Sequence, residues 1–160
     1  MPGSPANDIE LLRIALDTGR LSQQNGNLPF GCILADEAGN ILVKAENTVV
    51  TTHDNIAHCE INLVHQLAGR YEFDFLNRCT LYAGTEPCPM CTAAIFWSGI
   101  GHIVYALSKK GYHEVAGTNN PAWVFHMPVN ELLAHGGRTI SVAGPLLEEE
   151  AKQYYKDLLA

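Results

Sequence analysis

Two short stretches carry side chains that bind transition metals: His58-Cys59-Glu60 and Pro87-Cys88-Pro89-Met90-Cys91. Cys88 and Cys91 sit on what reads as the first turn of a helix. Their spacing puts both sulfurs on one side. The partial positive charge at a helix N-terminus favours thiolates there. One imidazole and two thiolates make a three-ligand zinc set of the kind found in catalytic sites, with the fourth position left for water. Two thiolates offset the charge of Zn²⁺, so the metal alone is a moderate acid and a separate base is useful. Glu60 lies two residues past His58, near enough to reach that water without ligating. A carboxylate there can collect the water's proton and return it to a leaving group.

Other readings of the same residues stand beside this one. A lone Cys-x-x-Cys also suits a structural zinc half-site, a redox pair or plain core. A structural site needs a fourth protein ligand, for which Cys59, Cys79, His53 and His65 are the candidates. A redox pair would want the thioredoxin-like aromatic context that is missing here. Glu60 alone reads as a solvated helix residue. The conjunction of the two stretches carries the hydrolytic reading.

The elements that must position these groups follow from apolar periodicity and turn chemistry. Helical spacing of Ile9, Leu12, Ile14, Ala15 and Leu16 predicts a helix over 7–20, capped by Asn7 or Asp8, and 22–28 reads as a loop. Strand-like runs at 30–35 and 41–43 flank Gly39-Asn40, which predicts a hairpin. After a polar loop at 51–57, a helix is expected from 58 to 68, closed by Gly69. Then come a strand at 80–85, a proline-led helix at 88–97 ending near Gly99, and a buried strand at 103–107. Residues 108–128 are ambiguous, with weak helix near 109–116. A short helix at 129–134, a strand at 139–143 and an amphipathic helix at 145–159 complete the chain. The alternation implies a central, partly parallel sheet with helices on both faces, in a single domain over 1–160.

Composition narrows the function classes. The 160 residues are 47% apolar and 17% charged, as in ordinary globular proteins. A net charge of −7 and no Lys/Arg cluster beyond Lys109-Lys110 argue against nucleic-acid binding. The longest apolar stretch, 91–107, contains Ser98, Gly99, Gly101 and His102 and reads as core, not as a membrane span. Five cysteines are an odd number with one tight pair, a poor disulfide framework that fits a reducing, cytoplasmic setting. No secretory signal is visible at the N-terminus.

Beyond the two metal stretches, Pro29-Phe30-Gly31, Asn47, His53-Asp54, Ala57, Thr85-Glu86 and Ala94-Ile95-Phe96-Trp97 complete a pattern. Over about Pro29 to Leu107 the chain resembles the cytidine/deoxycytidylate deaminase superfamily, within it the guanine deaminase, cytosine deaminase and tRNA adenosine deaminase branch. H-x-E…P-C-x-x-C is the signature of zinc nucleobase deaminases. The resemblance implies a three-layer α/β/α fold with a mixed five-stranded sheet, Zn²⁺ on His58, Cys88 and Cys91, and Glu60 as proton shuttle. It implies that Asn47 hydrogen-bonds the base, that Ala57 and Glu86 act through their backbone, and that Phe30 and Trp97 wall the pocket. Core packing is the plainer role for those two rings. It also implies a homodimer and a small heterocyclic substrate: guanine or a related aminopurine first, cytosine or another amino-heterocycle second. A tRNA adenosine would need a basic groove.

The chain departs from the family pattern in two places. Cys59 stands where a small apolar residue is usual. Asn119 or Asn120 stands where guanine deaminases carry an acidic residue, with Glu114 nearby. An amide offers donors as well as an acceptor, a poorer match for the N–H groups of guanine. Trp123, Phe125 and His126 in that segment either close the pocket or pack.

Overall fold

The computed structural model describes residues 5–118 and 120–160, apart from the side chains of Pro5 and Ala6, so Asn119 lies outside the described residues. Five strands form the sheet: β1 Gly31–Ala35, β2 Ile41–Glu46, β3 Thr80–Thr85, β4 His102–Leu107 and β5 Ser141–Ala143, in the order β2-β1-β3-β4-β5. β1 is antiparallel to both its neighbours, while β3, β4 and β5 run parallel. The hairpin between β1 and β2 turns on Asp36, whose carboxylate accepts from the Ala38 and Asn40 N–H groups, and on Gly39 at φ 86°.

Alternation along the strands splits the core into two layers. Cys32, Leu34, Leu81, Ala83, Ile103 and Tyr105 face one side, where α3 (Cys59–Leu67), α4 (Phe73–Leu76), α5 (Pro89–Ser98) and α7 (Val129–Leu133) pack. Ile33, Ala35, Tyr82, Val104 and Ala106 face the other, where α1 (Pro5–Gln24), α6 (Lys109–Ala116) and α8 (Glu148–Leu159) pack. Period-two side-chain alternation thus makes the expected three layers. One further short helix, α2, covers Val49–Thr52, and a 3₁₀ turn covers Pro121–Trp123.

The first helix differs from expectation at both ends. Pro5 opens it, as proline suits the first helical position, so Asn7 and Asp8 lie within its first turn and do not cap it. The buried Asp8 carboxylate instead accepts the Tyr82 hydroxyl at 2.6 Å. At the far end 22–24 is helix, not loop, and the Ser22 hydroxyl donates to the Leu28 and Asn47 carbonyls. α2 and α4 were not anticipated because four residues are too few to show a period. Residues 145–147 are not helical: the Leu146 and Leu147 N–H groups donate to the Tyr105 and Ala106 carbonyls, holding that segment beside β4.

α1 crosses β1 at a contact with no room for a side chain. A methyl group on Gly31 would lie 2.4 Å from the Gly19 nitrogen and 2.6 Å from the Thr18 carbonyl carbon. Gly31→Ala should therefore lower stability by ~1–3 kcal/mol or more, read as a shifted urea midpoint at unchanged slope.

Candidate active site

The metal-binding side chains sit at the N-termini of two helices on one face of the sheet. His58 caps α3 and Cys88 caps α5, both with extended backbone, and His58 makes no side-chain capping hydrogen bond. The His58 ring is therefore not spent on capping, while the Cys88 sulfur draws on the Cys91 N–H. Pro89 at the first position of α5 holds the helical start, and Cys91 follows on the same turn. The ligand atoms of His58, Cys88 and Cys91 all lie within 4.8 Å of one another. His58 Nδ1 is 3.6 Å from Cys88 Sγ and 3.5 Å from Cys91 Sγ. Tetrahedral zinc with ordinary Zn–S and Zn–N lengths puts such atoms about 3.6 Å apart. The donor set fits zinc.

Electrostatics agree with the geometry. The hydrogen bond from the Cys91 thiol pulls Cys88 down to about 4, against the effect of burial, with a further hydrogen bond to His58 helping. Cys91 is pushed up, first by holding that shared proton and then by burial. The hydrogen bond between His58 and Cys88 raises His58, which burial opposes. An entering divalent cation replaces the shared proton, so metal affinity should rise with pH. Among the described residues no further His, Cys, Asp or Glu joins the cluster. Of the candidate fourth ligands, Cys59 is fully buried and faces the Cys32 thiol, and neither Cys79, His53 nor His65 belongs to the group.

A cavity of about 270 Å³ opens beside His58 and Cys88. It is at the small end of ligand pockets, suited to a compact molecule. Glu60, on the first turn of α3, lines it and is 6% exposed. Asn47 and Phe30 line it as well. The Val49 N–H donates to Asn47 Oδ1 at 3.0 Å, and Asn47 Nδ2 is left without a protein partner among the described residues. Glu86 is another wall, with both carboxylate oxygens engaged: one accepts from the Lys109 N–H and the other from the Val129 N–H. Its own N–H donates to the Leu107 carbonyl.

Three expected site residues fall elsewhere or are already engaged, as does the nearby Glu114. Trp97 lies on the outer side of α5, 81% exposed, in a groove with Phe96, Leu132 and Leu133. α5 is apolar on both faces, so its sequence does not say which aromatic turns inward. Ala57 is buried outside the cavity lining, with its N–H on the Asp54 carbonyl and its carbonyl accepting from Thr48. Asn120 is exposed and caps the 3₁₀ turn through the Ala122 N–H, a local capture typical of asparagine. Glu114 pairs with Lys152 at 2.8 Å. Asn119 is outside the described residues.

Sequence reasoning missed Lys109 and Tyr112, both in the cavity wall. They follow β4 in the stretch that carries no motif. Of the three residues weighed for closure, Trp123 lines the cavity, and Phe125 lines an adjoining chamber of about 240 Å³ that shares His58, Cys88, Lys109 and Trp123 with it. His126 lines neither. Purified Cys88→Ser and Cys91→Ser proteins should hold under about a tenth of the wild-type zinc by mass spectrometry, whereas Cys59→Ala should keep full stoichiometry.

Comparison with known proteins agrees with this donor set. Residues 5–107 match the family model described as the cytidine and deoxycytidylate deaminase zinc-binding region. A probable cytosine deaminase of Schizosaccharomyces pombe is 35% identical over 144 residues, 90% of this chain and 87% of that protein. A tRNA-specific adenosine deaminase of Aquifex aeolicus is 35% identical over 100 residues, 62% of this chain and 66% of that protein. The structure of a guanine deaminase from Nitrosomonas europaea superposes with a TM-score of 0.76 at 21% identity, covering 99% of this chain and 85% of that one.

Proposed function

This chain belongs to the cytidine and deoxycytidylate deaminase family of zinc hydrolases, and from that membership we propose that it deaminates a free amino-oxo base, a cytosine-type pyrimidine before guanine. The observation that carries this ordering is that, among the described residues, both carboxylates lining the cavity are committed: Glu60 to proton transfer and Glu86 to backbone N–H groups. Guanine presents N–H donors that need an acceptor. Both oxygens of Glu86 already accept backbone N–H groups, Glu114 is paired with Lys152, and Asn120 points away. What the cavity offers is a donor, Asn47 Nδ2, which suits a ring carbonyl. The cytosine deaminase relative matches nearly the whole chain.

Zinc bound to His58, Cys88 and Cys91 would supply a water made acidic enough to attack the amine-bearing carbon. The chain's own groups do the rest. Glu60 takes a proton from that water and delivers it to the ring nitrogen, and a second proton then reaches the amine, which leaves as ammonia while the carbon becomes a carbonyl. Asn47 holds the ring edge, Phe30 covers a face of the base, and the backbone carbonyl of Glu86 would accept from the departing amine. One domain houses the whole site, and five cysteines outside any disulfide suit a reducing, cytoplasmic setting. Among the described residues no helix is long and apolar enough to cross a membrane.

A tRNA substrate gains no support from this surface. Lys109 is the one cation lining the cavity among the described residues, and Glu148, Glu149 and Glu150 open α8. Zinc-loaded protein should release ammonia from cytosine faster than from guanine, and faster from either than from a tRNA anticodon arm. Glu60→Gln should keep its zinc and lose about 10²–10⁴ in kcat. If Glu60→Gln turns over normally, or no free base yields ammonia, the mechanism is wrong.

We further propose a homodimer through the outer face of α5. Trp97 and Phe96 meet edge to face at 5.4 Å and line an apolar groove of about 180 Å³ with Leu132 and Leu133. Sedimentation should report a dimer for the wild type and a monomer for Trp97→Arg. A wild-type monomer would dispose of the interface.

A further inference from the structure

We propose that Lys109 reads a negative charge on the substrate's ring, so that the preferred substrate is a carboxylated amino-heterocycle; the inference rests on the deaminase reading and narrows it. Lys109 opens α6 directly after β4, with its backbone fixed by the Glu86 carboxylate. Its ammonium nitrogen stands 5.8 Å from the ring centroid of Phe30 and 5.8 Å from that of Tyr112. Those two rings are themselves 5.0 Å apart, and Tyr112 leans edge-on against the buried Tyr155 at 5.2 Å. The lysine is therefore braced by an aromatic cluster at the cavity wall, an arrangement in which ring faces attract a cation without neutralising it.

Charge pairing leaves this cation available. Among the described residues no carboxylate lies within ion-pair distance of its ammonium; the pairs formed are Arg13–Glu150, Arg20–Asp17, Arg78–Glu37 and Lys152 with Glu114 and Glu149. The two acids that share its cavity have other partners or duties. Glu86 is satisfied by two backbone N–H groups, and Glu60 stands on the metal side beside Cys91. Lys109 also borders the second chamber, so it lies at the junction of the two spaces. A ligand anion there would gain a charge-assisted hydrogen bond in a partly desolvated site. The charge sits on the ring or one bond from it, because the ammonium lies against Phe30 and Tyr112, both walls of the inner cavity.

A rival role for Lys109 is to balance the general negative charge of Glu60 and Glu86, in which case its loss would weaken neutral and anionic ligands alike. A sugar phosphate is a second source of the same anionic chemistry. The test compares cytosine, cytosine-5-carboxylate, cytosine-6-carboxylate and cytidine 5′-monophosphate by kcat/KM, and the unreactive products uracil and its two carboxylates by calorimetric Kd. The wild type should favour at least one carboxylate over its neutral parent by about tenfold or more in both measurements. Lys109→Met should bring that ratio to about one, and Lys109→Arg should restore most of it. Equal treatment of neutral and carboxylated ligands by the wild type, or a ratio unchanged in Lys109→Met, overturns the proposal while leaving the deaminase reading intact. A preference for the nucleotide over both carboxylates also overturns it. Lysine-dependent binding of a uracil carboxylate with no ammonia from any base would uphold the anion pocket and sink the deaminase reading.

Discussion

Everything in this site depends on two helix N-termini meeting at a point. His58 and Cys88 occupy the N-cap positions of α3 and α5 with extended backbones, so their side chains leave the helices just where the exposed N–H dipoles concentrate positive potential. That potential favours the anionic sulfurs, and the 3.5–3.6 Å spacing of the imidazole from both sulfurs already matches a tetrahedral ion. A preformed cluster costs less to close around a metal than one assembled from loops. The capping hydrogen bond forgone at α3, of order 1 kcal/mol, is what His58 gives up for this placement.

The sheet converts that meeting point into a pocket. β1 antiparallel beside β3 brings Phe30 and Asn47, which flank the hairpin, next to the C-terminal end of β3, where Thr85 and Glu86 lead into α5. The parallel crossover through α5 to β4 then delivers α6 to the same edge. Glu86 fastens these pieces: its N–H holds the end of β4, while its carboxylate holds the start of α6 and the start of α7. A buried carboxylate with two N–H donors is satisfied and rigid. The family resemblance assigned Glu86 a role through its backbone; the side chain turns out to brace the walls.

How much of this was legible in the sequence varies with how local each signal is. His58, Glu60, Cys88 and Cys91 could be read because metal-ligand types are chemically distinctive and their spacing within a helical turn fixes their faces. The strand at 103–107 was readable because buried parallel strands are continuous apolar runs. Trp97 was misplaced because α5 is buried on one face and apolar on the other, so periodicity gives no inward direction. Asn120 looked like a ligand-facing amide, yet asparagine before a proline-led turn satisfies its own backbone first. Lys109 and Tyr112 left no trace, since their meaning comes from Phe30 and Tyr155, distant in sequence and joined only by the sheet.

That contrast separates catalysis from choice of substrate. The ligands and Glu60 belong to helix starts packed against the core, with Cys91 and Glu60 buried, where a shift of one side chain disturbs several others. Lys109, Tyr112 and Trp123 come from the segment after β4, where Trp123 and Phe125 are three-quarters exposed. Substitutions in that segment change the walls without moving the ligands, because Glu86 anchors the segment through backbone N–H groups, which every residue but proline supplies. The same zinc chemistry can therefore be aimed at different rings by altering exposed side chains such as Trp123, which carry little of the fold's stability.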